Sequence, residues 1–235
     1  MQRIVVMPAL VFLVASACTD LPTEPAALSR APSLARNGET SNTECVGALP
    51  PGAYHNVVVP PGQSCEISAS VLSGYLKAFA GSRLVSISNR IDGNVEALGA
   101  AFVHLERDHV GGNIHILNGP GQVTNFLSYR VMEVTVPHGH VHVIGNVGDI
   151  LFMRNRVEKS HIKIEENVIP ALLNIFSNQA GTHIEVSRNT GPGSKFVQFN
   201  TAGRRIACFG NTPPFFGVPN VAPQLEGQCG DPPTP

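Results

Sequence analysis

A short alternation of apolar and polar residues returns eight times along the chain. Each copy begins with a polar residue, and two apolar residues then flank an outward one, as in Val95-Glu96-Ala97 and Ile114-His115-Ile116. A period of two is typical of a β-strand with one buried face. The copies begin at Asn56, Tyr75, Asn94, Asn113, His140, His161, His183 and Arg205.

The spacing of the copies is nearly regular, with intervals of 19, 19, 19, 27, 21, 22 and 22 residues. Six residues after each start comes a corner position, which is Gly or Asn in every copy but one. Both residue types tolerate a left-handed backbone. The corner positions are Gly62, Gly81, Ala100, Gly119, Asn146, Asn167, Asn189 and Asn211. A period near 20 residues with one corner per period is typical of a solenoid.

Each period holds further apolar positions, which predict a second and a third short strand. The second pairs are Cys65/Ile67, Val103/Leu105, Val123/Phe126, Leu151/Met153, Leu172/Asn174 and Phe196/Phe199. The third position recurs at Leu72, Ile91 and Val110. We therefore predict an all-β fold, a single-domain parallel β-solenoid of about eight short coils. Parallel crossovers favour a right-handed β-helix, and the 19-residue period leaves a left-handed coil open.

The first 18 residues resemble a bacterial lipoprotein signal peptide. Arg3 precedes an apolar run over residues 4–14, and small residues then lead to Cys18. The sequence predicts a lipid on Cys18 that anchors the protein to a membrane. Cleavage after Ala17, which would leave Cys18 free, is the alternative.

The rest of the chain divides into a tether, a solenoid and a tail. Residues 19–44 are rich in Pro, Ala and Ser and predict a flexible tether. The solenoid with its caps spans 45–229, and residues 230–235 are predicted to be a disordered tail. Within the longest interval, residues 131–139 are interpreted as an inserted strand or a bulging loop. The Pro-rich segment from Pro213 onward is expected to cover the last coil without continuing a sheet.

Four further cysteines lie in pairs at the two ends of the repeats: Cys45, Cys65, Cys208 and Cys229. Four cysteines allow three pairings, but a solenoid separates its ends and favours Cys45–Cys65 and Cys208–Cys229. Such disulfides would cap the terminal coils, which lack one neighbour. They also indicate an exported protein.

Composition adds constraints on partners. The 235 residues are 43% hydrophobic and 14% charged, with a formal net charge of −1. The charged fraction is below the roughly 25% usual for globular domains, which suits stacked coils with uncharged polar outer faces. The absence of a basic block argues against a nucleic-acid partner.

Two stretches resemble a known group of proteins. Gly93-Asn94-Val95-Glu96-Ala97 and the closing run from Cys208 to Pro213, followed by Gly227-Gln228-Cys229, are similar to exported bacterial β-solenoid proteins. Those proteins carry Gly-Asn-Val coils between Cys-bearing caps. The resemblance covers about residues 45–229, and it implies a fold and an exported setting but no reaction.

Histidine is the main candidate for chemistry. Three histidines occupy the same repeat position in consecutive coils, and two others lie two residues further along their strands, on the same face. The five are His115, His140, His142, His161 and His183. Imidazole is a common ligand of Zn²⁺ and Cu²⁺, and Glu185 is a candidate carboxylate ligand. The alternative is a solvated stack of side chains without a metal.

Other side chains suggest structure rather than chemistry. The outward residues Lys77 and Glu96, and likewise Lys163 and Glu185, are expected to form a charge ladder across neighbouring strands. Glycoside hydrolysis needs two carboxylates at a defined distance, and the acidic residues are scattered. Five phenylalanines near the C-terminus are interpreted as a plug over the last coil: Phe196, Phe199, Phe209, Phe215 and Phe216.

We therefore expect a non-catalytic lipoprotein of the cell envelope, in the periplasm or at the cell surface. It would display a β-solenoid for adhesion, and a glycan or an envelope protein is the expected partner. The first alternative is a metal-binding protein that uses the histidines. A glycan-active β-helix enzyme is the second.

Overall fold

The computed structural model describes residues 41–121, 127–214 and 219–230, and the regular elements in these ranges are β-strands. They belong to one compact unit that extends over Leu34–Pro235. Among the described residues, no helix has the length and apolar character needed to cross a membrane. The predicted signal peptide, with Cys18, and residues 19–40 of the predicted tether lie outside the described residues.

The strands form three parallel sheets, and eight successive coils each give one strand to every sheet, while the first sheet has two further strands at its C-terminal end. The first sheet contains Asn42–Glu44, Asn56–Val59, Leu76–Ala78, Val95–Leu98, Ile114–Leu117, Val141–Ile144, Ile162–Glu165, His183–Ser187, Arg205–Phe209 and Gln224–Gly227. The second contains Gly47–Leu49, Ser64–Ser68, Arg83–Ile87, Phe102–Glu106, Tyr129–Met132, Ile150–Met153, Leu172–Phe176 and Ser194–Gln198. The third contains Ala53–Tyr54, Val71–Leu72, Arg90–Ile91, His109–Val110, Thr135–Val136, Arg156–Val157, Gln179–Ala180 and Thr201–Ala202.

This architecture confirms the predicted parallel β-solenoid of about eight turns. The alternation places the apolar residues of each first-sheet strand inside, so that Val95 and Ala97 are buried while Glu96 between them reaches solvent. The third positions Leu72, Ile91 and Val110 are also fully buried. Full burial of one large aliphatic side chain stabilises the fold by about 1.5–3 kcal/mol.

Both predicted disulfides are confirmed. Cys45 is bonded to Cys65 at the first coils, with 5.4 Å between their Cα atoms. Cys208 is bonded to Cys229 at the last coils, with 5.2 Å between their Cα atoms. Each bond closes a loop of about 20 residues, which stabilises the folded chain by about 3 kcal/mol in the chain-entropy model.

The corners differ from the prediction in a consistent way. In two early coils the residue with a left-handed backbone is at the predicted position, as Gly62 and Gly81. In the later coils it comes one residue earlier, for example at Gly145, Glu166 and Arg188. The asparagines at the predicted positions are instead buried, and their side chains form hydrogen bonds between coils. Their periodicity therefore reflects side-chain bonding and not a left-handed backbone.

These asparagines form one stack, and a second set at another corner forms another; we call the two stacks the asparagine ladders. In each step the side-chain Oδ1 accepts from the backbone N–H of the equivalent residue one coil earlier, and the Nδ2 donates to a backbone carbonyl of the previous coil. Asn178 is typical: its Oδ1 accepts from the N–H of Asn155 at 2.9 Å, and its Nδ2 donates to the carbonyl of Phe152 at 2.9 Å. Amide side chains thereby satisfy buried backbone groups that no strand partner reaches.

The two ladders follow different corners. The corner after the first sheet carries Asn146, Asn167, Asn189 and Asn211, and Gln228 accepts the last bonds. The corner after the second sheet carries Asn155, Asn178, Asn200 and Asn220. In the earlier coils of this corner Asn89 is followed by Asp108, whose burial raises its carboxyl pKa to about 6.

The second sheet corrects several predicted inward pairs. Cys65/Ile67 and Val103/Leu105 do point inward, but Leu151/Met153, Leu172/Asn174 and Phe196/Phe199 do not. The buried residues there are Ile150, Phe152, Leu173, Ile175, Lys195 and Val197. Apolar side chains occupy both faces of these strands, so alternation alone does not identify the inner face. Val123 and Phe126 lie outside the described residues.

Lys195 is the inward residue that apolar patterning fails to find. It is fully buried, and its Nζ donates to the carbonyls of Gly191, Gly193 and Thr212 at 3.0, 3.0 and 2.7 Å. Three carbonyls occupy the three donors of an ammonium group. The side chain thus ties the last second-sheet strand to the C-terminal segment.

Three predictions about segments need correction. Residues 131–139 contain no insertion, because Tyr129–Met132 and Thr135–Val136 are the ordinary second and third strands of their coil. The extra residues of that interval precede them, after Leu117. Asn42–Glu44, assigned to the tether, pairs with Asn56–Val59. Gln224–Gly227 pairs with Arg205–Phe209, so the Pro-rich segment does continue a sheet.

The predicted phenylalanine plug is not what the described residues form. Phe199 and Phe209 are 51% and 48% exposed, and Phe199 packs edge-on against Phe176 at 5.2 Å between ring centroids. Phe215 and Phe216 lie outside the described residues, as does the predicted tail apart from Gly230.

Replacing a central member of a ladder should destabilise the protein strongly. Asn178→Ala removes four hydrogen bonds, two accepted from Asn155 and two donated to Phe152 and Asn200, and leaves buried polar groups unpaired. We expect a loss of about 3 kcal/mol in the free energy of unfolding, measured by denaturant titration. Asn174→Ala is the matched control, because the outward Asn174 Oδ1 accepts no hydrogen bond. An equal loss in both variants would contradict the role of the ladder.

Candidate histidine site

The five histidines lie on the outer face of the first sheet, in two adjacent columns. Strand register stacks His115 on His142. His140, His161 and His183 stack in the neighbouring column, where the carbonyl of His140 accepts from the N–H of Ile114 and that of His161 from the N–H of Val141. We call this surface the histidine face.

A side chain of the previous coil anchors the start of the second column. Asn113 occupies the same repeat position one coil before His140, and its Oδ1 accepts from the backbone N–H of His140 at 3.0 Å. The same bond joins Asn94 to Asn113 one coil earlier, at 2.8 Å. The column of polar residues that opens each first-sheet strand therefore holds His140 in line with the coils before it.

The imidazole rings are in contact throughout the cluster. The rings of His140 and His161 are stacked, with centroids 5.0 Å apart, and those of His161 and His183 are stacked at 4.8 Å. The shortest separation joins the two columns, at 4.2 Å between His140 and His142. All five side chains are half-buried.

Two pairs of histidines share a hydrogen bond between ring nitrogens. The Nε2 atoms of His115 and His140 are 2.9 Å apart, as are those of His142 and His161. One Nε2 of each pair must carry a hydrogen and the other must accept it, so each bond needs at least one neutral ring with a free lone pair. A neutral imidazole nitrogen is also the form that ligates a metal.

Three of the histidines have nitrogen atoms close enough to share one ion. One ring nitrogen from each of His115, His140 and His142 lies within 4.8 Å of the other two. Imidazole ligands bind zinc at about 2.0–2.1 Å, so two ligand nitrogens on one ion lie about 3 Å apart. His115 and His140 already have this separation, and the ring nitrogen of His142 lies within 4.8 Å of both.

The surroundings keep four of the rings, those of His140, His142, His161 and His183, neutral. Partial burial, with the neighbouring His140 ring, lowers the pKa of His142 to about 4. Partial burial and His183 likewise lower the pKa of His161 to about 4, and Lys163 acts in the same direction on both. Burial also lowers the pKa of His140 and His183. At neutral pH, protons therefore do not compete with a metal for these four rings.

Lysine–glutamate pairs flank the cluster on both sides. Lys77 and Glu96 form an ion pair of 2.9 Å before His115, and Lys163 and Glu185 form one of 3.5 Å after His142. These contacts confirm the predicted charge ladder. Glu185 is therefore engaged by Lys163 and is not one of the residues that converge on the ion position.

The structure brings the five predicted histidines together, but only three of them have nitrogen atoms that could share one ion. His161 contacts the ligand group through its hydrogen bond to His142, and His183 only through stacking on His161. The role of Asn113 was missed, although its place in the polar column, one period before His140, is a visible signal.

Comparison with known proteins finds no match, whether with protein-family models, curated proteins or solved structures. The site must therefore be interpreted from its own geometry.

Acid should destabilise the protein through these rings. Histidine titrates near 6.5 when exposed, whereas His142 and His161 titrate near 4 in the fold, so the unfolded chain takes up protons first. The free energy of unfolding should fall as the pH drops from about 6.5 to about 4. The double variant His142→Gln/His161→Gln should lose less over this range, in denaturant titrations at several pH values. Asp108, whose pKa is also shifted, is present in both proteins, so its contribution to the pH dependence of stability cancels when the two are compared. Identical pH profiles would contradict this account.

Proposed function

We propose that the protein is a non-catalytic binding module that holds a divalent transition-metal ion, Zn²⁺ or Cu²⁺, on the histidine face. The single observation that supports this is the convergence of nitrogen atoms from His115, His140 and His142. Histidine nitrogen suits both ions. Three protein ligands leave at least one coordination position open, and it would face solvent because the cluster lies on an outer face.

We place this module in the cell envelope, anchored by a lipid on Cys18 and presented for adhesion to a glycan or an envelope protein. Two disulfides support an oxidising, extracytoplasmic setting. The resemblance to exported bacterial solenoid proteins favours the same setting. A glycan-active enzyme is disfavoured, because Glu96 and Glu185, the carboxylates that flank the cluster, are paired with lysines.

Metal binding should raise the melting temperature of the purified protein. A ligand at a hundredfold excess over its Kd stabilises the native state by about 2.7 kcal/mol, which corresponds to a rise of about 5–10 °C for a chain of this size. We expect this rise with Zn²⁺ or Cu²⁺ and a stoichiometry near one ion per chain in isothermal titration calorimetry. The triple variant His115→Ala/His140→Ala/His142→Ala should lose both signals.

A matched variant tests whether the effect belongs to the cluster. His55→Ala/His109→Ala/His138→Ala removes three histidines elsewhere on the chain and should keep the metal response in full. Metal binding that survives in the cluster variant, or that is absent from the native protein, would overturn the proposed function.

The proposed anchor predicts a change in cell fractionation. Cys18→Ala removes the only thiol that the signal-like segment offers to a lipid. The variant should leave the processed, membrane-bound fraction and appear in soluble or unprocessed form on an immunoblot. A fully processed variant that remains with the membrane would refute the lipid anchor while leaving the metal site untouched.

A further inference from the structure

The outward column that contains His115 and His142 carries charges in a particular order. Strand register places one residue per coil at even spacing, without a break at the long interval. We call this the charge column, and its members in order are Lys77, Glu96, His115, His142, Lys163 and Glu185. The signs are positive and negative, then two histidines, then positive and negative again.

This order is complementary to itself when one copy is turned end over end. A two-fold axis parallel to the strands and midway between His115 and His142 brings the same face of a second copy opposite the first. Lys77 then faces Glu185 of the second copy, and Glu96 faces its Lys163. Had the second charge pair been reversed, like charges would face each other at every position. A two-fold interface uses the same patch on both copies and requires this self-complementarity.

The charged side chains remain available to a partner. Lys77, Glu96, Lys163 and Glu185 are 27%, 28%, 31% and 20% exposed, although they pair within the chain. A second copy would add opposite charges without breaking these pairs. Exposed ion pairs contribute little affinity, but complementary charges do select the register of an interface.

The proposed metal site supplies the attraction that the charges lack. Zinc in structural sites takes four ligands, and the histidine group of one chain offers three. In the antiparallel arrangement His115 of one copy faces His142 of the other, so the six imidazoles of the two clusters surround the two ions and each ion can take one of its three protein ligands from the second copy. We propose that a second copy of this chain docks on the histidine face, antiparallel, through metal ions held between the two clusters. This inference rests on the proposed metal binding.

The full-length protein, in detergent if it carries a lipid, allows a direct test by sedimentation velocity. With Zn²⁺ at saturation the native protein should be a dimer, and after chelation a monomer. Lys163→Glu places a new carboxylate opposite Glu96 of the second copy, and the two-fold symmetry repeats this repulsion. The dissociation constant of the dimer should therefore rise at least tenfold. Adding Glu96→Lys restores opposite charges at both positions and should recover most of the affinity. Lys159→Glu makes the same charge change at an exposed residue outside the charge column and should have no effect.

The outcomes separate the dimer from the metal site. Calorimetry is run on each variant to verify that Zn²⁺ still binds. A native protein that binds Zn²⁺ but stays monomeric overturns the dimer and leaves the proposed function standing, whereas absence of Zn²⁺ binding removes both. A dimer that persists after chelation refutes the bridging role of the ion. A dimer that Lys163→Glu does not weaken, or that the second change does not restore, refutes the antiparallel register.

Discussion

The hydrogen bonds of the asparagine ladders are the interactions on which the other features of the structure depend. Each coil must turn a sharp corner, and several corners place a non-glycine residue such as Glu166 or Arg188 in the left-handed region, at a cost of about 1–2 kcal/mol. The following asparagine offsets this cost with up to four hydrogen bonds, each worth about 1 kcal/mol net. Because these bonds join successive coils, the ladders also help to hold the strands in register in the coils that carry them.

Register is in turn what assembles the histidine face. His115 and His140 are 25 residues apart in the chain, yet their Nε2 atoms are within hydrogen-bonding distance. They meet because parallel strands place equivalent residues one strand spacing apart, and because Asn113 holds the start of the second column. Partial burial, and after it the neighbouring His115 ring, lowers the pKa of His140, so this imidazole stays neutral.

Much of this could be predicted from the sequence, because in a solenoid the chain repeat is also the spatial repeat. The three strands per coil, the disulfides, the flanking ion pairs and the stacked histidines all follow from period and register. The predictions that proved wrong have other causes. Asn146 and Asn167 mimic left-handed corners because asparagine suits both roles, and Leu151 mimics an inward residue because both faces of its strand are apolar. Lys195 is inside because three carbonyls bind it, and no apolar pattern records such bonds.

The ladders are unevenly distributed along the solenoid. After the second sheet the series is interrupted at Val134, which offers no side-chain acceptor to Asp108, and after the first sheet it begins only at Asn146. Among the described corners, the ladder bonds that join the coils before the long interval to those after it lie at the first-sheet corner, where Asn146 binds Gly119 and Ile116. His115 belongs to the earlier coils and His140 and His142 to the later ones. An ion bound by all three would act as a clasp across this junction, so that metal supply would influence whether the two halves unfold together or in turn.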